Sequence, residues 1–144
     1  GRGGRFFDAI RDKQGWTDTV RTTNIANARG GAFYTYVAVS PEKESDLRAA
    51  LDAEHAKLRT DGVGSGELED AVQFAVGVQS ASLQTRGARV LEYARAVFSG
   101  AGVQSVARYE TAIRAVSAEQ LKSLIQRYLA AEAVKVGVVR GRAR

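Results

Sequence analysis

Strand-forming residues in this chain are confined to one early stretch and one late one, and nearly everything between carries helical spacing. Residues 17–26 and 32–39 read as two strands. The second, Ala32-Phe33-Tyr34-Thr35-Tyr36-Val37-Ala38-Val39, is rich in aromatic and β-branched types, which favour a pleated surface. Between them Asn27-Ala28-Arg29-Gly30-Gly31 has turn composition, so a hairpin is the economical reading. A third strand is expected over residues 134–139, Val134-Lys135-Val136-Gly137-Val138-Val139.

The helices announce their own ends. Ser40-Pro41-Glu42 opens one, with Ser as N-cap and Pro at the first helical position. Leu47, Leu51 and Leu58 supply its apolar stripe and Gly62 stops it. A second helical region covers residues 67–98, with a buried face of Leu68, Val72, Ala75 and Val76 resumed by Val90, Leu91, Ala94 and Phe98. Thr85-Arg86-Gly87 weakens its middle, so a bend or break is expected there. A short helix over 106–113 and a stronger one over 118–129 follow, the latter announced by the capping-box residues Ser117-Ala118-Glu119-Gln120. Strands and helices without strict alternation imply an α+β fold, a mainly antiparallel sheet with helices packed on one face. At least one sheet edge is expected to lie unpaired.

A chain of 144 residues is one domain's worth, so residues 1–144 are read as a single domain. It begins with Gly1 rather than Met, which reads as a piece of a longer protein. The absence of Cys removes disulfides, thiolate nucleophiles and Cys-based metal sites together, and leaves the compartment open. No apolar run approaches the roughly 20 residues of a membrane helix, so a soluble chain is expected, in a bacterial cytoplasm or periplasm, with no membrane partner. Arg supplies 16 of the 21 basic residues behind the net charge of +5. These arginines are scattered among Asp and Glu along helices, the pattern of a solvated face, so nucleic acid is not the expected partner.

The most informative segment for function is Gly3-Gly4-Arg5-Phe6-Phe7-Asp8-Ala9-Ile10-Arg11-Asp12-Lys13-Gln14-Gly15-Trp16-Thr17-Asp18-Thr19-Val20. It reads as a glycine-rich lead-in, a short amphipathic helix with Phe6 and Ile10 on one face, a stop at Gly15 and then a strand. This layout resembles the start of the non-zinc half of the pitrilysin/insulinase family of zinc metallopeptidases, where the pattern runs roughly Gly-Gly-x-x-Ser-Arg-Leu-Phe-x-x-Ile-Arg-x-Lys-x-Gly-Leu-x-Tyr-x-Val. Further matching positions are Gly31-x-Phe33, Ser40-Pro41-Glu42-Lys43, Leu58-Arg59-x-x-Gly62-Val63 with Glu67-Leu68, and Ala115-Val116-Ser117-Ala118-Glu119-Gln120-Leu121 with Tyr128-Leu129. The order of elements is similar to the later two-thirds of one such repeat. The resemblance therefore implies a partial C-terminal-type, "inactive" domain, lacking the opening strand and helix that the family places before Gly1.

The resemblance also implies a division of labour. In the family an Arg and a Tyr of this half reach across to a zinc site built by another domain. Arg11 matches the Arg; Asp18 stands where the Tyr should be. A tyrosine hydroxyl donates to a developing oxyanion, whereas a carboxylate only accepts and repels the same charge, so the Tyr role does not carry over to Asp18. Asp18 is instead expected to pair with Arg11 or Arg21, or to face solvent. Arg11, with the Gly3-Gly4 loop, is the candidate substrate-binding group; its bland alternative is a surface cation at a helix C-terminus. Trp16 is read as either an apolar wall for substrate or a core residue.

No catalytic or metal-binding residue is expected in the chain itself. The family's His-x-x-Glu-His motif needs two histidines and this sequence has one. Leu51-Asp52-Ala53-Glu54-His55 has Leu where the first His belongs and lies on the helix after the hairpin, so His55 is read as a partly buried structural residue. Zinc is expected in a partner domain. Gly1 to Arg5 lacks the Lys-Ser/Thr of a phosphate loop. Arg2-Gly3-Gly4 and Arg29-Gly30-Gly31 mimic RNA-binding tripeptides at places where the backbone itself wants glycine. Three functions follow in order. The first is a non-catalytic wall of a peptidase chamber, facing a zinc-bearing domain or subunit and meeting peptide substrate, in one chain or as a homo- or heterodimer. The second is a catalytically dead assembly subunit of the same family, and the third an anionic-polymer binder.

Overall fold

The computed structural model describes residues 3–27 and 30–141, with every side chain among them except those of 26 and 27. Two compact units emerge: residues 1–25, 32–62 and 123–144 form the first, and residues 26–31 and 63–122 the second. The fold class is α+β.

The first unit opens with a short helix, Phe7–Asp12, wound as a π-helix: the Lys13 amide donates to the Asp8 carbonyl at 3.0 Å. Gly15 ends it at φ 64°, its N–H reaching the Arg11 carbonyl at 2.8 Å. Strands β1 (Val20–Asn27) and β2 (Gly30–Val37) then pair as a hairpin, with the Thr22 and Thr35 hydroxyls 3.1 Å apart across it. The first strand starts later than expected because Thr17 makes a local turn: its hydroxyl accepts from the Thr19 amide at 2.9 Å and so competes with strand pairing. Of the expected turn between the strands, Ala28 and Arg29 lie outside the described residues, as do Gly1, Arg2 and residues 142–144.

A 3-10 turn (Pro41–Lys43) leads into α1 (Glu44–Asp61). Ser40 takes the N-cap position in extended backbone with Pro41 after it, but its side chain makes no capping hydrogen bond. Leu47 is buried, Leu51 and Leu58 half-buried, and Gly62 turns the chain at φ 72°, its N–H closing on the Leu58 carbonyl at 3.0 Å. Late in this unit the Arg59 guanidinium donates to the Leu129 carbonyl at 3.0 Å, satisfying an acceptor that the end of the last helix would otherwise leave open.

The second unit holds α2 (Ser65–Ser82), α3 (Arg86–Phe98) and α4 (Gln104–Arg114), and α5 (Ala118–Tyr128) begins in it. The expected break falls between α2 and α3, where the Thr85 hydroxyl caps α3 by accepting from the Ala88 amide at 3.1 Å. The capping box is complete in both directions: the Gln120 amide donates to Ser117 Oγ at 3.2 Å and the Ser117 amide to Gln120 Oε1 at 2.9 Å. Leu68, Val72 and Ala75 of α2 face Ile113 and Val116 in a shallow apolar groove.

Two expectations are overturned. Residues 134–139 form no strand; Val136 and Val139 stand exposed, and the segment follows a 3-10 turn (Ala131–Ala133). A strand exists only where a neighbour completes its ladder, and the sheet among the described residues has two members. A bidentate pair from Arg140 to Glu44, 2.9 Å on both oxygens, holds this segment and keeps the Glu44 carboxyl below its usual range. In α3 the expected buried stripe is on the outside: Val90, Leu91 and Phe98 are exposed, and Ala96 is the buried residue. Helical spacing creates an apolar stripe, but burial needs a surface to lay it on.

Gly62→Ala forces a side chain into a left-handed backbone and is expected to cost about 1–3 kcal/mol of stability. Gly77→Ala, in α2 with open space where a Cβ would stand, is expected to add about 0.5–1 kcal/mol. Urea unfolding followed by circular dichroism checks both, through midpoints that move in opposite directions.

Candidate functional site

The opening helix owes its position to Ile10 within it and to Arg5 and Phe6 just ahead of it. Ile10 is fully buried and anchors the turn, as its place on the apolar face predicts. Phe6 sets its ring edge-to-face on His55 of α1, 5.0 Å between centroids at 70°. Arg5 donates through Nη2 to the Gly62 carbonyl at 2.8 Å, at the end of α1 where helical carbonyls lack partners. The helix is thereby pinned along α1 from near its middle to its C-terminus.

Arg11 occupies the last turn of this helix and is half-exposed. Its guanidinium carbon lies 4.9 Å from the centre of the Phe7 ring, Nη1 donates to Asp12 Oδ1 at 3.0 Å, and Nε is 3.9 Å from Asp18 Oδ1. Asp18 thus approaches Arg11 while its side chain faces solvent, two of the three placements expected for it. The contact is loose, since the Asp18 side chain is 99% exposed. Exposed ion pairs are worth at most about 1 kcal/mol. Such pairing orients the guanidinium while leaving its remaining N–H groups open to a stronger acceptor such as a peptide carbonyl.

Gly3 and Gly4 lie at the opposite end of the same helix, exposed, with the Asp8 amide donating to the Gly4 carbonyl at 3.0 Å and nothing within 4 Å of where a Cβ would stand on either. The candidate substrate-binding residues thus fall on either side of one short helix, Arg11 in its last turn and Gly3 and Gly4 ahead of its start. Trp16 is half-buried just beyond, with the Lys43 ammonium 5.6 Å from its ring. Two partners of Arg11 escaped the sequence reading. Phe7 stands four residues before it, a spacing at which helical side chains meet, and was legible in principle. Asp12 is its sequence neighbour, which an ordinary α-helix would turn away.

His55 is half-buried, as expected. Burial pushes its imidazole below the ordinary value, the Arg59 charge adds to that, and Asp52 opposes it. Among the described residues no cluster of three or more His, Cys, Asp or Glu side chains has the arrangement to hold a metal ion. The single histidine of the sequence leaves it without the two imidazoles that a His-x-x-Glu-His site needs. No helix of the described residues is long and apolar enough to cross a membrane.

A family model described as the Peptidase M16 inactive domain matches residues 1–74, just over half of the chain. The chain belongs to this family of M16 peptidase inactive domains. No curated protein matches the chain closely enough to count as a relative. The matched span contains the opening helix, the hairpin, α1 and the first turns of α2. The pitrilysin/insulinase resemblance thus rests on the segment that carries Arg11, Asp18 and the Gly3-Gly4 loop. The motifs farther on, around Ser117 and Tyr128, lie beyond the match.

Arg5→Ala removes a charge-assisted bond from a part-buried carbonyl and is expected to lower stability by about 1.5–3 kcal/mol. Hydrogen exchange at the Ile10 amide, measured in the same variant, is expected to speed up as the helix loosens.

Proposed function

We propose that this inactive domain forms one wall of a peptide-binding chamber whose zinc is held by another M16 domain, in the same polypeptide or in a second one. The observation that carries this reading is the Arg11 guanidinium, backed by the Phe7 ring and oriented by Asp12 at the exposed end of a pinned helix. A preorganised cation of this kind suits a substrate carbonyl and loses little on meeting it. The Gly3-Gly4 loop offers open backbone at the other end of the helix, where an extended peptide can come close. Large exposed apolar side chains, among them Phe33, Tyr36, Phe74 and Phe98, support association with further protein surface.

The second reading, a family member that has lost its part in catalysis and serves assembly, is favoured by Asp18. Its carboxylate sits beside Arg11, where the family places a hydroxyl donor, and partly offsets the very charge that an oxyanion would seek.

Both readings are tested with the zinc-bearing partner domain added. Arg11→Ala is expected to lower kcat/KM for peptide hydrolysis by roughly 10- to 100-fold, the equivalent of one charge-assisted hydrogen bond. An unchanged rate excludes Arg11 from the site. Asp18→Tyr is expected to leave activity unchanged or lower if the domain works as it stands; a clear rise in kcat favours the assembly reading.

A further inference from the structure

We propose that His55 is a pH-sensitive latch for the opening helix: taking up a proton loosens the Arg11-bearing helix from α1. The latch stands on the packing of the first unit and does not depend on what Arg11 binds.

The geometry sets up the conflict. His55 is the one histidine of the sequence, and its ring is the surface on which Phe6 rests, 5.0 Å between centroids. Its Nδ1 is buried and has no hydrogen-bond partner. A neutral imidazole tolerates this by keeping its proton on Nε2 and leaving Nδ1 a bare acceptor. An imidazolium carries a proton on both nitrogens, so Nδ1–H becomes a buried donor with nothing to receive it.

The surrounding charges do not resolve the conflict. On α1 itself Arg59 repels the imidazolium, and its guanidinium is already held at the Leu129 carbonyl. Asp52 attracts the imidazolium but is outweighed by burial. From the opening helix the group that meets His55 is Phe6, while the charged neighbour Arg5 reaches the Gly62 carbonyl. The protonated ring therefore gains by any loosening of its packing, the Phe6 contact included, that lets water reach Nδ1.

The sign follows from linkage. A histidine whose value in the docked state is depressed binds its proton more readily when released. Docking is then at full strength above the ordinary value of 6.5 and is lost as pH falls through the depressed one. The docked state carries its own reporter. Trp16, the one tryptophan of the sequence, donates its amide to the Ile10 carbonyl at 3.3 Å directly after the helix.

With one His and one Trp, the 144-residue chain can be titrated without ambiguity from pH 8 to pH 4. The ring protons of His55 are followed by NMR and the emission of Trp16 by fluorescence. The expected result is a His55 midpoint below 6.5 and a Trp16 emission shift with the same midpoint. His55→Phe, which keeps a flat ring against Phe6 but cannot titrate, is expected to lose that emission shift. Phe6→Leu, which opens the contact to water, is expected to move the His55 midpoint up toward 6.5. A His55 midpoint at or above 6.5 in the unaltered chain overturns the latch. So does a Trp16 signal that stays flat through the His55 titration, or one that survives unchanged in His55→Phe.

Discussion

The first unit depends on the seating of a six-residue helix against α1. A helix this short cannot hold itself together in water, because the cost of nucleating its first turn is not recovered over so few residues. Its stability is borrowed from Ile10, which is wholly buried, and from the Arg5 bond to the Gly62 carbonyl. That carbonyl is available because α1 ends there, and α1 ends there because Gly62 adopts a backbone that other residues resist. A single glycine thus provides both the stop for one helix and the acceptor that fixes another.

The same seating decides what the candidate site can do. Arg11 is oriented by groups on its own helix and the loop after it, so its direction in space is that of the helix as a whole. Anything that shifts the helix on α1 moves the guanidinium with it, and His55 lies directly under the contact. The Asp18 carboxylate gives the site a character unlike the Arg–Tyr pair that the family resemblance led one to expect. A carboxylate stands near the cation where the resemblance implies a hydroxyl. Membership of the inactive-domain family agrees with a sequence whose single histidine cannot supply a His-x-x-Glu-His motif.

Where the sequence reading succeeded, the determining chemistry was local. Gly15, Gly62 and the Ser117–Gln120 box act over a few residues, and each ends or starts a helix where expected. Thr85 marks the gap between α2 and α3 for the same reason, as the N-cap of α3. It failed where the outcome depended on a distant surface. Val136, Val138 and Val139 have the composition of a strand but lack a ladder partner among the described residues, and Val90, Leu91 and Phe98 have the spacing of a core face without a surface over them. In the candidate site, Arg11 was visible from the family pattern. Its pairing with Asp12 was not, because sequence neighbours on a helix do not ordinarily face each other.

The sequence by itself determined the α+β class, the helix boundaries, the exclusion of a His-x-x-Glu-His zinc site and the family likeness of the segment around Arg11. These follow from residue types and short spacings, which act through backbone preference and simple counting. Only the tertiary structure decided that Arg5 reaches across 57 residues to Gly62, and that His55 lies under Phe6 with one nitrogen buried and unmet. It also brought Asp18 near Arg11. Those contacts join residues far apart in the chain or on different elements, and which ones form is settled by how the elements pack. The Gly3 to Val20 segment that carried the family signature thus owes its working geometry to α1, a helix that lies outside it.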